Sequence, residues 1–105
     1  MRADAAKWLD VSSGEGFKAA TERLANDESP LVRAAAADAL LNADMAAVQP
    51  LLQALGDPDS RVVLAALDAL EFVGDESTIP FLTPLLKHKD VEVRERVVET
   101  VEFLQ

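Results

Sequence analysis

The fold is decided by three stretches that repeat one another: SPLVRAAAADALLNAD (29–44), DSRVVLAALDALEFVGD (59–75) and DVEVRERVVETVEFLQ (90–105). They align on Val32, Val62 and Val93, which are separated by 30 and 31 residues. Four residues after the anchor stand Ala36, Ala66 and Val97, and eight after it stand Leu40, Leu70 and Val101. Ala37, Leu67 and Val98 fill the fifth place, and an acid fills the sixth each time: Asp38, Asp68 and Glu99. Offsets of four, five and eight fall on one side of a 3.6-residue helix, so each stretch reads as an amphipathic helix. A separation near 30 residues is the spacing of solenoid arrays, in which one supersecondary unit covers the next.

A second helical pattern precedes each of these. FKAATERL (17–24), VQPLLQAL (48–55) and IPFLTPLL (79–86) place Phe17, Val48 and Ile79 in register, then Ala20, Leu51 and Leu82, then Leu24, Leu55 and Leu86. The short polar turns ANDESP, GDPDS and KHKD join the two helices of each pair. Asp27, Ser29, Asp59 and Asp90 are suited to capping the second helix, and Pro30 to its first turn, where a missing N–H costs least. Pro50 and Pro80 sit early in their helices; Pro84 sits deeper and is expected to kink its helix. No stretch of useful length alternates with a period of two, so no strand is expected.

Outward from this centre, the opening MRADAAKWL aligns with VRAAAADAL, as the second helix of an earlier pair would, and DVSSGEG then reads as the turn between pairs. The expected organisation is one domain over 1–105, with a half-repeat at 1–10 and pairs at 17–42, 46–73 and 77–104. Such a start suggests a piece of a longer array, and Trp8 would cover the exposed end of the core. In the last helix Arg96 and Thr100 stand where earlier second helices have alanines. This suggests a terminal cap with a solvated outer edge.

The phrases ALGDPDSRVVLAALDAL (54–70) and ANDESPLVRAAAADAL (25–40) resemble bacterial HEAT-like repeats, including those of phycobilin-lyase-type proteins. That pattern has a leucine-rich first helix, a turn such as D-P-D, then V-R and an alanine-rich second helix. Arg33 and Arg94 fill the arginine place, and Val63 departs from it. The resemblance covers about 17–104. It implies an all-α fold, a right-handed α-α superhelix of about three and a half helix pairs, with first helices convex and second helices concave. The shared residues are packing residues, so the resemblance speaks for architecture more than activity.

Composition narrows the chemistry. Half of the 105 residues are apolar and 5% are aromatic, so alanine, leucine and valine must fill the core. Ten basic against 19 acidic residues leave a net charge of −9, which repels nucleic-acid phosphates and anionic membrane surfaces and favours a basic partner. With no cysteine there is no disulfide, thiol nucleophile or cysteine metal site. The single histidine, His88, lies between Lys87 and Lys89 and reads as a turn residue in water, not a ligand or base. Ser12, Ser13, Ser29, Ser60 and Ser77 fall in turns without a histidine to activate them. Gly14 and Gly16 do not complete a phosphate-binding loop. No catalytic residue, metal or cofactor is expected.

What remains is a surface. Positions two, six and nine after each anchor lie opposite the core stripe: Ala34, Asp38, Leu41; Leu64, Asp68, Glu71; Glu95, Glu99, Glu102. Stacking would set these in adjacent rows on the concave face, acidic toward the C-terminal end. The expectation is a cytoplasmic, non-catalytic protein-protein interaction scaffold, a monomer or weak oligomer. It would take a basic peptide or protein on Asp38, Leu64, Asp68, Glu71, Glu95, Glu99 and Glu102. The alternatives are an accessory part of a bilin lyase or isomerase, with Leu41, Leu64 and Phe72 as apolar surface, or an inert spacer within a longer array.

Overall fold

The computed structural model describes residues 14–40 and 47–105. The expected half-repeat at 1–10 with Trp8, the serines at 12 and 13, Leu41 and the end of the first expected pair at 42 lie outside the described residues. Among those described, all regular structure is helical. Helices α1 (Gly14–Asn26) and α2 (Pro30–Ala39) form the first pair, α3 (Val48–Ala54) and α4 (Ser60–Val73) the second. The third joins α5 (Ile79–Leu82), which has a 3-10 turn on each side, to α6 (Val91–Leu104). Within each pair the partners pack on one another, α2 packs on α4, α4 on α6, and α1 on α3. That common stacking direction makes the protein an α-solenoid. Helix α1 begins earlier than expected and takes up Gly14–Gly16, which the sequence places in a turn.

Each second helix starts on a cap. Before α2, extended Ser29 accepts the Val32 N–H on its hydroxyl at 3.4 Å, and Pro30 opens the helix. Asp59 accepts the Arg61 N–H at 2.9 Å and Asp90 the Glu92 N–H at 2.9 Å, each satisfying a donor that the first turn leaves over. The Arg61 guanidinium and backbone N–H hold the Asp59 carboxyl down at about 2. Of the turn serines, Ser29 is a cap, whereas Ser60 opens α4 behind Asp59 and Ser77 donates to Asp75 at 2.5 Å.

The joining turns share a second device. Two residues ahead of each cap, Asp27 accepts the Ser29 N–H at 2.9 Å and Asp57 the Asp59 N–H at 2.9 Å. In the third pair His88 stands in this place, and its Nδ1 accepts the Asp90 N–H at 3.0 Å. The histidine is therefore a half-buried turn residue that does an aspartate's work by accepting that N–H.

Pro84 has the effect its position threatens. Lacking an N–H, it ends α5 at Leu82, and residues Thr83–Lys87 continue as a tighter 3-10 turn. The tightening moves the register by one: Leu85 packs against the core and Leu86 is exposed, where the repeat alignment sets Leu86 beside buried Leu24 and Leu55.

The core centres on α4, where Val62, Val63, Ala66, Leu67 and Leu70 are fully buried. Each such Val or Leu contributes about 1.5–3 kcal/mol relative to exposure. Small Ala65 and Ala69 face the preceding pair and let α2 approach closely. Gly74 ends the helix, donating to the Leu70 carbonyl at 2.9 Å. A Cβ there would stand 2.8 Å from that carbonyl oxygen and 2.8 Å from the Thr78 hydroxyl. A backbone atom is one of the two, so Gly74→Ala is expected to cost about 1–3 kcal/mol in a chemical-denaturation midpoint.

One ion pair ties the first two pairs together. Arg33 gives Nε–H to Asp57 Oδ2 at 2.8 Å and Nη2–H to Oδ1 at 3.1 Å, and Nη1–H to the Asp27 carbonyl at 2.8 Å. The two side chains are only 14% and 10% exposed, so the forked geometry is sheltered from water and salt. Removing one partner strands the other charge. Arg33→Ala is expected to cost about 3 kcal/mol by denaturant titration, whereas Arg61→Ala, in an exposed pair with Asp59, is expected to cost under about 1 kcal/mol.

Candidate partner-binding face

The second helices carry the candidate residues in rows, because each repeat reproduces the previous helix one layer on. Asp38, Glu95, Glu99 and Glu102 are exposed, while Ala34, Leu64, Asp68 and Glu71 are half-buried. Leu64 packs partly against the core. Leu41, the remaining member of the first row, lies outside the described residues.

The rows communicate through charge. Partial burial, and then the nearby charge of Asp68, push the Asp38 carboxyl above its ordinary value. The next step along the stack is an attraction instead. Arg96 pairs with Asp68 and lies 3.6 Å from Glu99, and Asp68 holds the guanidinium above its usual value. Thr100, fully buried, donates to Glu71 Oε2 at 3.0 Å. These contacts overturn the expectation of a solvated outer edge at Arg96 and Thr100. Positions three and seven after the anchor face the preceding helix, as Ala65 and Ala69 do, so both residues look inward at α4.

The face therefore divides. Asp68 and Glu71 spend their carboxylates on the α4–α6 contact. Glu95 and Glu102 make no hydrogen bond or ion pair among the described residues, and Glu99 reaches Arg96 at 3.6 Å with its side chain 70% exposed. At the C-terminal ends of α4 and α6 stand Phe72, 69% exposed, and Phe103, 65% exposed, at the same repeat position. Phe103 is missed when the acids alone are followed; its place ten residues after Val93, matching Phe72 after Val62, is the signal that finds it.

Among the described residues no three His, Asp or Glu side chains gather as a metal site would need, and no helix is long and apolar enough to cross a membrane. No buried side-chain nitrogen or oxygen there lacks a hydrogen-bond partner.

Replacing Asp38 by Asn removes a carboxylate whose charged form the folded state disfavours. Above the raised carboxyl value, Asp38→Asn is expected to be more stable than the parent by less than about 1 kcal/mol. As the pH falls through that value and then below the ordinary carboxylate range, the parent's carboxyl protonates and the difference closes. Thermal melts of both proteins from neutral to acid pH check the sign.

Comparison with known proteins agrees with this architecture. The family profile described as HEAT repeats matches residues 17–102. Phycocyanobilin lyase subunit alpha of Picosynechococcus sp. is 41% identical over 70 residues, covering 67% of this chain. The same alignment covers 26% of that protein, so the chain spans about a quarter of its relative's length. No solved structure matches. With three stacked helix pairs on the page and the family pattern running through all of them, the chain belongs to the HEAT-repeat family.

Proposed function

We propose that the chain is a non-catalytic binding scaffold that works in the cytoplasm and takes a basic peptide or basic protein surface along its second helices. The observation that carries this is that α4 and α6 expose both carboxylates and aromatics: Glu95 and Glu102, which no described group engages, Glu99, which only Arg96 approaches, and Phe72 and Phe103. A lysine- or arginine-bearing helix could lay its charges on the former and an apolar residue on the latter, and the net charge of −9 would speed its approach. Asp38, Leu64, Asp68 and Glu71 border the same surface, Asp68 and Glu71 chiefly as its support. The discriminating variant therefore leaves those two in place. Against a fluorescent lysine-rich helical peptide, E95A/E99A/E102A is expected to bind about tenfold more weakly, with its helical circular dichroism unchanged. Equal affinity of the triple variant and the parent would remove the acidic residues from the binding surface.

A second reading is favoured by the relative's name: an accessory segment of a bilin-handling protein. A tetrapyrrole would need apolar surface, which Leu64 and Phe72 could supply, and cations for its carboxylates. Arg96, the cation on this face, is already engaged by Asp68 and Glu99. Adding phycocyanobilin and recording its visible absorbance separates the two readings, since an unshifted band leaves the protein-binding scaffold.

A further inference from the structure

The first helix of the third pair sorts its side chains into columns. From Thr83 to Lys87 it is a 3-10 turn, in which residues three apart stand one above the other. Burial follows that period. Leu82 is fully buried and Leu85 and His88 are half-buried, so these three form the inner column. Phe81, Pro84 and Lys87 form an outer column, and all three are exposed, Phe81 by 57%. At the places of Phe81 and Pro84 the first pair has Ala19 and Glu22, and the second has Pro50 and Gln53. An exposed aromatic on the first-helix layer is therefore peculiar to the third pair.

The repeat indicates what this column borders. Between α1 and α3 lies a cleft of about 360 Å³, lined by Thr21 and Leu24 from the one and by Pro50 and Gln53 from the other. One layer on, the same places hold Leu52 and Leu55 on one side and Phe81 and Pro84 on the other. Thr21 and Gln53 are thus replaced by Leu52 and Pro84, and the second cleft is the more apolar. Leu52 is half-buried, and α3 meets α5 less closely than α1 meets α3. Both walls are described helices inside the stack. At the foot of the column stand two cations, Lys87 and Lys89, both exposed and without an ion pair among the described residues. The adjacent acid, Asp90, is committed to capping α6, where it accepts the Glu92 N–H at 2.9 Å.

From this we infer that the cleft between α3 and α5 is a docking groove for an acidic peptide segment. An apolar side chain of that segment lies against Leu52, Phe81 and Pro84, and its carboxylates meet Lys87 and Lys89. Charge complementarity selects this occupant, because two unpaired ammonium groups end a wall that is otherwise apolar. The net charge of −9 opposes an acidic segment over most of the surface, so the lysines also fix where it settles. From Phe81 to Lys87 the column rises about 11 Å. In an extended segment that span is about three residues, which sets the spacing of the apolar residue and the carboxylate. The groove belongs to the first-helix layer and stands independently of the basic partner proposed for the second helices.

Fluorescence anisotropy of the full chain tests this with a short labelled peptide whose glutamates stand three residues after its leucines. The expected result is saturable binding that weakens about tenfold in Phe81→Ser and in Lys87→Glu. The same peptide with glutamine for glutamate should bind about tenfold more weakly to the parent, and E95A/E99A/E102A should bind the glutamate peptide as the parent does. Both groove substitutions change side chains already in water, and unchanged helical circular dichroism verifies that each variant is folded. No saturable binding, affinity indifferent to both groove variants, or equal affinity for the glutamine peptide overturns the inference. Loss of binding in the triple variant alone overturns it as well, since that places the peptide on the second helices.

Discussion

Helix α4 is apolar around most of its circumference, and the rest of the molecule is arranged to keep it dry. Val62, Val63, Ala65, Ala66, Leu67, Ala69 and Leu70 are all buried, and the helix packs on α3, α2 and α6. A helix with so narrow a polar strip cannot be satisfied by one neighbour. It needs shelter on three sides, and a stack of hairpins supplies it when each hairpin lies in the same orientation as the last. Alanines at positions three and seven set the spacing, because only small side chains let successive second helices come close enough to exclude water from the larger residues. The apolar contact is continuous along the chain, so its stability rests on neighbouring pairs and not on any single helix.

Polar groups then fix the angle at which the pairs meet, and the two junctions use different ones. Between the first and second pairs, Arg33 spans the gap with a forked bond to Asp57 while anchored to its own turn at the Asp27 carbonyl. The second pair has Val63 where that arginine would be, and it is fully buried. There the Ser60 hydroxyl takes over, reaching Asp90 in the next turn and helping hold that carboxyl below the usual range. Further up the helices, Arg96 on Asp68 and Thr100 on Glu71 add polar contacts between α4 and α6. A buried valine stabilises by area, with no preferred orientation, so the polar bonds at its two ends supply the direction that Arg33 supplies at the first junction.

Most of the architecture was legible because burial on a helix leaves a periodic trace. Val32, Val62 and Val93 and the residues four and eight beyond them announce which face is covered, and covering one face on consecutive hairpins leaves little choice but to stack them. The capping aspartates at 59 and 90 were legible for a similar reason, since a short acceptor before an apolar run has a local job. What escaped depended on a partner from another layer or on local geometry that a repeat alignment does not carry. Arg96 looked like a poor neighbour for a following pair; seeing that it points backward at Asp68 requires knowing which side of α6 meets α4. His88 looked idle because its family of uses is catalytic or metal-binding, whereas its actual work is to accept one backbone N–H in place of an aspartate. Leu86 aligns with buried Leu24 and Leu55 yet is exposed, because Pro84 changes the helix type and a repeat alignment assumes an unchanging rise.

The same division separates support from recognition on the second-helix face. A carboxylate held by a neighbouring repeat has given its lone pairs and part of its charge to the stack, and a ligand that wants it must compete with that contact. Asp68 and Glu71 are in this position. A carboxylate in water on the last helix has no such commitment, and its side chain can turn to meet a partner at little cost in order. Exposed aromatics beside it contribute area that is already rigid, since the helix fixes the backbone and each ring has two torsions to settle. On the proposed binding reading, recognition is strongest at carboxylates that no neighbouring helix engages, which among the described residues of this face include those of Glu95 and Glu102 on α6.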